Sequence, residues 1–395
     1  MLQNQENPKE PNQPVPLALT GGLVFPSPEA PSLEDATVLV EGGMISSIDP
    51  SNISGLPRGT RVIDCSDRSV LAGFQNSHIH FTEGKWEAAG QLDPGRLENQ
   101  LREMLTSYGF TTVVDTASLL PNTVDIRRRI DSGEVLGPRI LTAGLALYPP
   151  EGLPFYLREG FPPDLIPLIP QPRGGSEARG FIRANLNGGA DLIKLFTGSW
   201  VTQNEVAVMP REVAAAAVSE AHRHGKLVFT HPSNVAGLEV ALQAGVDVLA
   251  HAIDDTDGLT MDHLRRMRVQ GMAMIPTLKL LAQDGRKEVL DQVRNYSSTG
   301  GDLLFGTDVG FLEDYSPLRE YELLGETGLT WQEILASLTT TPARRFGDLR
   351  RGRLEPGMAA DIVVLGSDPR TGPAAFADVL VTIRAGEVIF DRSAE

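Results

Sequence analysis

Apolar and polar positions change rhythm twice along this chain. Between residue 17 and about Val70 the apolar runs are short and β-like, at 17–19, 37–41, 44–48 and 61–63, with turn residues such as Gly42 and Gly43 between them. After about Thr111, compact apolar runs alternate with helix-length amphipathic segments, most of which stop at a glycine where the chain must turn. Counting 71–74 with its continuation toward His78, the runs at 111–115, 139–143, 191–196, 226–231, 246–251, 272–275 and 302–307 give eight strand candidates. Helices are expected at 97–108, 211–224, 235–244 and 260–270, and a last one opens on the capping-box spelling Thr330, Trp331, Gln332, Glu333. β text returns after Phe346, at 361–365, 379–383 and 388–390.

Eight parallel strands with helices between them, over roughly the ~250 residues usual for the architecture, predict an α/β chain built on a (β/α)8 TIM barrel. An open doubly wound sheet is disfavoured, because no GxGxxG or P-loop spelling follows the early strands. Each end of the chain is too short for a stable core of its own. Residues 17–70 and 347–395 are therefore expected to combine into a β-sandwich domain beside a barrel domain at 71–346, with 1–16 a disordered lead-in.

Charge narrows the partners. Across 395 residues, 35 Lys plus Arg stand against 51 Asp plus Glu, and the net charge of −16 repels nucleic acid and anionic membranes. No signal-peptide core lies near the start, and no apolar run approaches the roughly 20 residues of a membrane-spanning helix, so a soluble, cytoplasmic protein is expected. Cys65, the only cysteine, cannot form an internal disulfide or a thiolate cluster, which fits a reducing compartment.

The residues that could carry chemistry sit at strand ends. In Ser77-His78-Ile79-His80 the two histidines are two apart, so on an extended segment both imidazoles point to one face and can meet a single metal ion. His222 and His224 share that spacing on a helix, where such side chains diverge, and read as structural. Lys194 alternates with Ile193 and Leu195 and so faces the barrel interior, where burial lowers the amine pKa and a neutral amine can take up carbon dioxide as a carbamate. The bland alternative is an ammonium paired with a carboxylate. His231 and His251 close two more strands, and Asp308 follows the eighth, with Gly306 leaving room beside it. His263, among charged helix residues, reads as solvated, and Cys65 as structural.

With Gly109-Phe110-Thr111-Thr112-Val113, Gly306-Thr307-Asp308 and the 352–361 segment, this set resembles the metal-dependent amidohydrolase superfamily, and within it the prolidase-like and imidazolonepropionase-related members. The resemblance implies that His78, His80 and Asp308 hold one divalent metal, His231 and His251 a second, and carboxylated Lys194 both, with zinc the expected ion. Asn76, Ala72, Pro232 and Ala250 depart from common family residues without removing a ligand. The expected reaction is hydrolysis of an amide or dipeptide-like carbon–nitrogen bond by a metal-bridging hydroxide, with Asp308 as the proton carrier. Deamination or cyclic-amide hydrolysis, a single-metal site with a cationic Lys194, and a non-catalytic binding scaffold stand as alternatives. The expected partner is a small molecule, and a homo-oligomer stays open. The loop at 144–177 holds Tyr148, Phe155, Tyr156 and Phe161 among eight prolines; with Trp86 and Trp200 it supplies candidate substrate walls.

Overall fold

In a computed structural model that describes residues 15–49, 55–158, 166–282 and 284–394, the chain opens with β1 (Leu17–Phe25), β2 (Leu33–Glu41), β3 (Met44–Asp49), β4 (Arg61–Asp64) and β5 (Ser69–Ala72). There follow β6 (Phe74–Ile79), β7 (Phe110–Asp115), β8 (Arg139–Thr142) and β9 (Ile193–Phe196), then a hairpin of β10 (Gly198–Thr202) and β11 (Glu205–Val208). β12 (Val228–His231), β13 (Val248–Leu249) and β14 (Ala273–Met274) come next, and β15 (Ile362–Leu365), β16 (Val379–Arg384) and β17 (Glu387–Asp391) end the chain.

The two ends of the chain do join, because β15 pairs antiparallel with β5. They form one continuous eight-stranded sheet in the order β17-β16-β15-β5-β1-β2-β3, with β4 beside β1, where a sandwich of two sheets was expected. Register shifts on either side of Gly22 bend β1. The arms curl until Ile45 N–H donates to the Met358 carbonyl and Ala360 N–H to that of Gly43, each at 2.9 Å. The period of two then sorts the side chains. Val70, Ala72, Ile362, Val364, Val381 and Ile383 fill a core belonging to the sheet, while Leu71 and Val363 enter the large core shared with the rest of the protein.

In the middle of the chain β6-β7-β8 and β9-β12-β13-β14 are parallel sheets, as the alternating pattern requires, but their ladders do not join into a closed barrel. Hydrogen bonds outside the ladders span the gaps. Asp191 N–H donates to the Thr142 carbonyl (2.7 Å), Met274 N–H to that of Asp302 (2.9 Å) and Ser77 N–H to that of Phe305 (2.7 Å). The expected eighth strand at 302–307 is reduced to an isolated bridge at Leu303. There the Asn76 side-chain oxygen accepts from Thr307 N–H at 3.3 Å, and Asp308 turns away in the left-handed region at φ 58°. The 246–251 strand likewise shrinks to Val248–Leu249.

Alternation holds within these sheets. Ile193, Leu195 and Val228 face the helices, whereas Val114, Ala143, Leu192, Phe229, Val248, Ala273 and Leu304 form a separate inner cluster. Helices Arg211–Arg223, Val235–Ala244 and Met261–Gln270 fall within a residue of expectation, and Thr330 and Glu333 cap Trp331–Leu338 reciprocally. His263 corrects its reading as solvated. Its ring accepts from the Thr260 N–H at 3.1 Å, capping the helix, and its other nitrogen lies 3.3 Å from Glu239. Among the described residues no helix is long and apolar enough to cross a membrane.

Phe376 ties the terminal segment to this core, with its ring 6.1 Å from Phe74 and 5.7 Å from Tyr321. Phe376→Ala is expected to cost ~3–5 kcal/mol. Denaturant unfolding would check this, and a loss under about 1 kcal/mol would show that the contact is dispensable.

Candidate active site

β6 ends at Ile79, so His78 and His80 leave the sheet on the same side with their rings 5.1 Å apart. Their Nε2 atoms are 3.3 Å apart, and Asp308 Oδ1 lies 3.2 Å from the first and 2.9 Å from the second. That oxygen is buried and meets no donor in hydrogen-bonding geometry. Gly306 makes the approach possible: a Cβ there would fall 2.4 Å from Ile275 Cγ2 and 2.8 Å from His78 Cβ. Asn76 fixes the same junction. Its amide donates to Thr307 Oγ1 at 2.7 Å and its oxygen accepts from His78 N–H at 3.2 Å.

The second group comes from the neighbouring sheet. Lys194 is in register with Phe229 of the inner cluster, and Phe196 with His231, on whose ring it stacks at 4.7 Å. His231 lies 4.4 Å from His251, and His251 lies 4.4 Å from His78. The four imidazoles thus form a continuous run, and Lys194 and Asp308 act electrostatically on it. All six residues named from the sequence come together.

Burial decides their charge. It is the main cause that brings His78 down to about 3 and Lys194 down to about 7, and it takes His231 and His251 well below the usual histidine value. Lys194 adds to the shift on all three histidines. Burial pushes the Asp308 carboxyl the other way, but the two rings beside it prevail and hold it well below the usual carboxylate range. Neutral imidazoles, an ionised carboxylate and a lysine near neutrality are a donor set for a cation.

Hydrogen bonds orient those donors. His80 Nδ1–H donates to the Ala117 carbonyl at 2.9 Å, leaving Nε2 as the free electron pair. The Thr277 hydroxyl lies 2.8 Å from His251 Nδ1 and 2.8 Å from the Pro276 carbonyl, which fixes the orientation of the ring. Asp308, Thr277 (φ 46°) and Ser233 (φ 55°) are all left-handed although none is glycine, and strain of this kind gathers at functional sites. These observations fit a divalent ion, and the ligand atoms of His78, His80 and Asp308 lie within 4.8 Å of one another.

Aromatic residues surround the donors unevenly. Tyr148 is buried with its ring 4.5 Å from Phe196, and Tyr156 meets Phe311 edge-on at 5.7 Å. The Tyr156 hydroxyl is pushed up by burial and by Tyr148, Asp308 and Asp254, which places it within electrostatic reach of the site. Trp200 Nε1–H donates to Asp254 Oδ2 at 2.6 Å. Trp86 is a correction. The 3-10 turn Gly84–Trp86 sends its ring into the core, 0% exposed and 4.9 Å from Phe81, which leaves no face for a substrate. Phe161 lies outside the described residues.

Sequence reasoning missed Asp115, Thr277 and Asp254. Asp115 ends β7 and accepts from Ser118 (2.5 Å), Thr142 (2.7 Å) and Thr123 (2.9 Å); Ser118 in turn receives Phe81 N–H, next to His80. An acid at the end of an apolar strand was the available signal for Asp115. Thr277 and Asp254 carry no local signal.

Comparison with known proteins places these features in context. A family profile described as "Amidohydrolase family" matches residues 69–389. An uncharacterised protein of Mycobacterium tuberculosis is 27% identical over 333 residues, covering 77% of this chain and 80% of its own. A dihydroorotase of Clostridium acetobutylicum is 21% identical, covering 90% of this chain and 95% of its own. The crystal structure of a Xaa-Pro dipeptidase with methionine bound in its active site superposes with a TM-score of 0.81 at 22% identity, covering 94% of this chain and 99% of that one.

Thr277→Val keeps the side-chain shape and removes the oxygen that fixes His251. Metal affinity, read by competition with a chelator, is expected to fall about 10- to 100-fold; unchanged affinity would separate Thr277 from the ligand set.

Proposed function

The chain belongs to the amidohydrolase family and is a hydrolase acting on carbon–nitrogen bonds, and on that premise we propose that it cleaves a small amide or dipeptide-like molecule at a binuclear metal site. The observation that carries the reading is the run of four imidazoles, three of them buried and pushed toward neutrality, bracketed by Asp308 and Lys194. In this reading His78, His80 and Asp308 hold one ion, His231 and His251 the other, and zinc is the metal their nitrogen-rich donors suit. Lys194 joins the two as a carbamate: its neutral amine forms an N–C bond to carbon dioxide and loses a proton. A desolvated lysine brought to about 7 supports that step.

Divalent ions held there would supply Lewis acidity, lowering the pKa of water and polarising a carbonyl. The protein's own part is proton movement and orientation. Asp308, held well below the usual carboxylate range and with its buried Oδ1 outside hydrogen-bonding geometry, takes the proton from the attacking water and returns it to the departing nitrogen. Tyr148 and Phe196 form a firm wall beside His231, and Tyr156 with Phe311 covers the site from the 144–177 loop and the segment after Asp308. The likeness to a dihydroorotase supports a cyclic amide as a second reading of the substrate. We extend the reading to a closed eight-stranded barrel at 71–346 beside a terminal β domain, in a cytoplasmic protein.

Elemental analysis is expected to find about two metal equivalents per chain, with about one in Lys194→Ala. A 13C signal from labelled bicarbonate should appear in the parent protein alone. One equivalent throughout, with no carbamate signal, would replace this reading with a mononuclear site. Asp308→Asn is expected to lower kcat on a confirmed amide substrate by about 10²- to 10⁴-fold, far more than it lowers metal content. Equal activity would remove Asp308 from proton transfer.

A further inference from the structure

We propose that Asp254 anchors a cationic amine of the substrate, so that the preferred substrates are amides bearing an ammonium group beside an apolar part; this rests on reading the site as an amide hydrolase. Asp254 lies three residues beyond His251, in the segment that leaves β13 toward the mouth of the site. Its Oδ2 accepts from Trp200 Nε1–H at 2.6 Å and its Oδ1 from Asp255 N–H at 3.1 Å. Those bonds hold the carboxylate in place and leave lone pairs on both oxygens.

Arg286 is a cation that acts on the Asp254 carboxyl, but among the described residues it makes no salt bridge with it: it donates to the Asp254 main-chain carbonyl at 2.5 Å and to Glu288 at 3.0 Å. On the inner side the groups acting on the Tyr156 hydroxyl are Tyr148, Asp308 and Asp254, and among the described residues no lysine or arginine joins them. A substrate with a free carboxylate on this side would face the Asp254 and Asp308 carboxylates. An ammonium there would meet Asp254, with Tyr156 and Trp200 offering ring faces to a cation. Burial is the largest influence on the Asp254 carboxyl and pushes it up, against the Trp200 and main-chain hydrogen bonds and the Arg286 charge, which lower it.

A hairpin tied to a loop needs only a neutral acceptor for the Trp200 N–H. Asparagine would serve, and a half-buried carboxylate is the costlier choice. The substrate class explains that choice.

The test compares binding of phenylalaninamide, its N-acetyl derivative and N-acetylphenylalanine to the metal-loaded full chain by calorimetry, at a pH below the amine's own pKa. Phenylalaninamide is expected to bind at least about tenfold tighter than the neutral derivative, with N-acetylphenylalanine weakest. Asp254→Asn should bring the first two within about threefold. Equal binding to the parent protein, no binding of phenylalaninamide, or a preference unchanged in a folded Asp254→Asn variant would each overturn the proposal. Where that variant fails to fold, the parent comparison decides alone. Ammonia release from the two primary amides, and acetate release from the two N-acetyl compounds, judge hydrolysis separately: tight, Asp254-dependent binding without release counts against the hydrolytic reading and not against the amine anchor.

Discussion

Six side chains that water would ordinarily solvate are packed together, five of them buried, and their desolvation governs the rest of the molecule. Burying an unpaired charge costs several kcal/mol, so the set must arrive neutral, be mutually compensated, or receive a cation. His78, His231 and His251 take the first route, and Asp308, whose buried oxygen faces the two ring nitrogens at 2.9 and 3.2 Å, takes the third. Lys194 stands between them: at about 7 it is neither a firm cation nor an inert amine. A divalent ion would relieve this tension, because the orphaned Asp308 oxygen and the oriented Nε2 atoms of His80 and His251 already point away from protein donors.

Holding such a set together requires backbone that most sequences cannot supply. At Gly306 and Gly310 a side chain would collide with His78 and with the His80 carbonyl, and at Gly198 and Gly237 a Cβ would fall 2.0 Å from the Pro232 carbonyl, next to His231. These glycines let segments distant in sequence approach within contact. The left-handed Asp308 and Thr277 are the counterpart, since their strained backbone persists only because the surrounding contacts over-determine it. Stability here is therefore spent on positioning.

What the residue pattern revealed, and what it hid, follows from range. Alternation is a local property, and it correctly turned Lys194 inward while Ile193 and Leu195 faced the helices. Strand-end histidines and Asp308 could be assembled because the architecture brings equivalent strand ends to one place. The eighth strand is irregular for a long-range reason: its bonds go to segments far along the chain, at Asp302 and Leu304 to Met274 and at Phe305 and Thr307 to β6, where the Asn76 side chain shares the Thr307 N–H. The terminal sheet was legible as β text, but its curling into one sheet depends on contacts such as Gly43 with Ala360, which no local rhythm encodes. Trp86 misled because a tryptophan near a site reads alike whether it faces ligand or core, and a three-residue turn decided the matter. Thr277 and Asp254 were silent because each matters only through a partner far along the chain, the Nδ1 of His251 and the indole of Trp200.

The same distinction of range separates the machinery from selectivity. The donors sit on or next to strands of two parallel sheets, where each is fixed by register, by glycine-permitted contact and by hydrogen bonds to carbonyls, and small shifts there would be costly. The residues around them come from elsewhere: Tyr156 from the 144–177 loop, Trp200 from the β10–β11 hairpin, Phe311 from the turn beyond Asp308. Those elements touch one another through rings and single hydrogen bonds, such as Ser199 Oγ to the Gly152 carbonyl at 2.5 Å, and bear little of the core. A change among them alters which molecule is admitted without disturbing how the donors are held. Substrate choice can therefore diverge widely between proteins that share this fold, because the forces that fix the chemistry and those that select the substrate act on different parts of the chain.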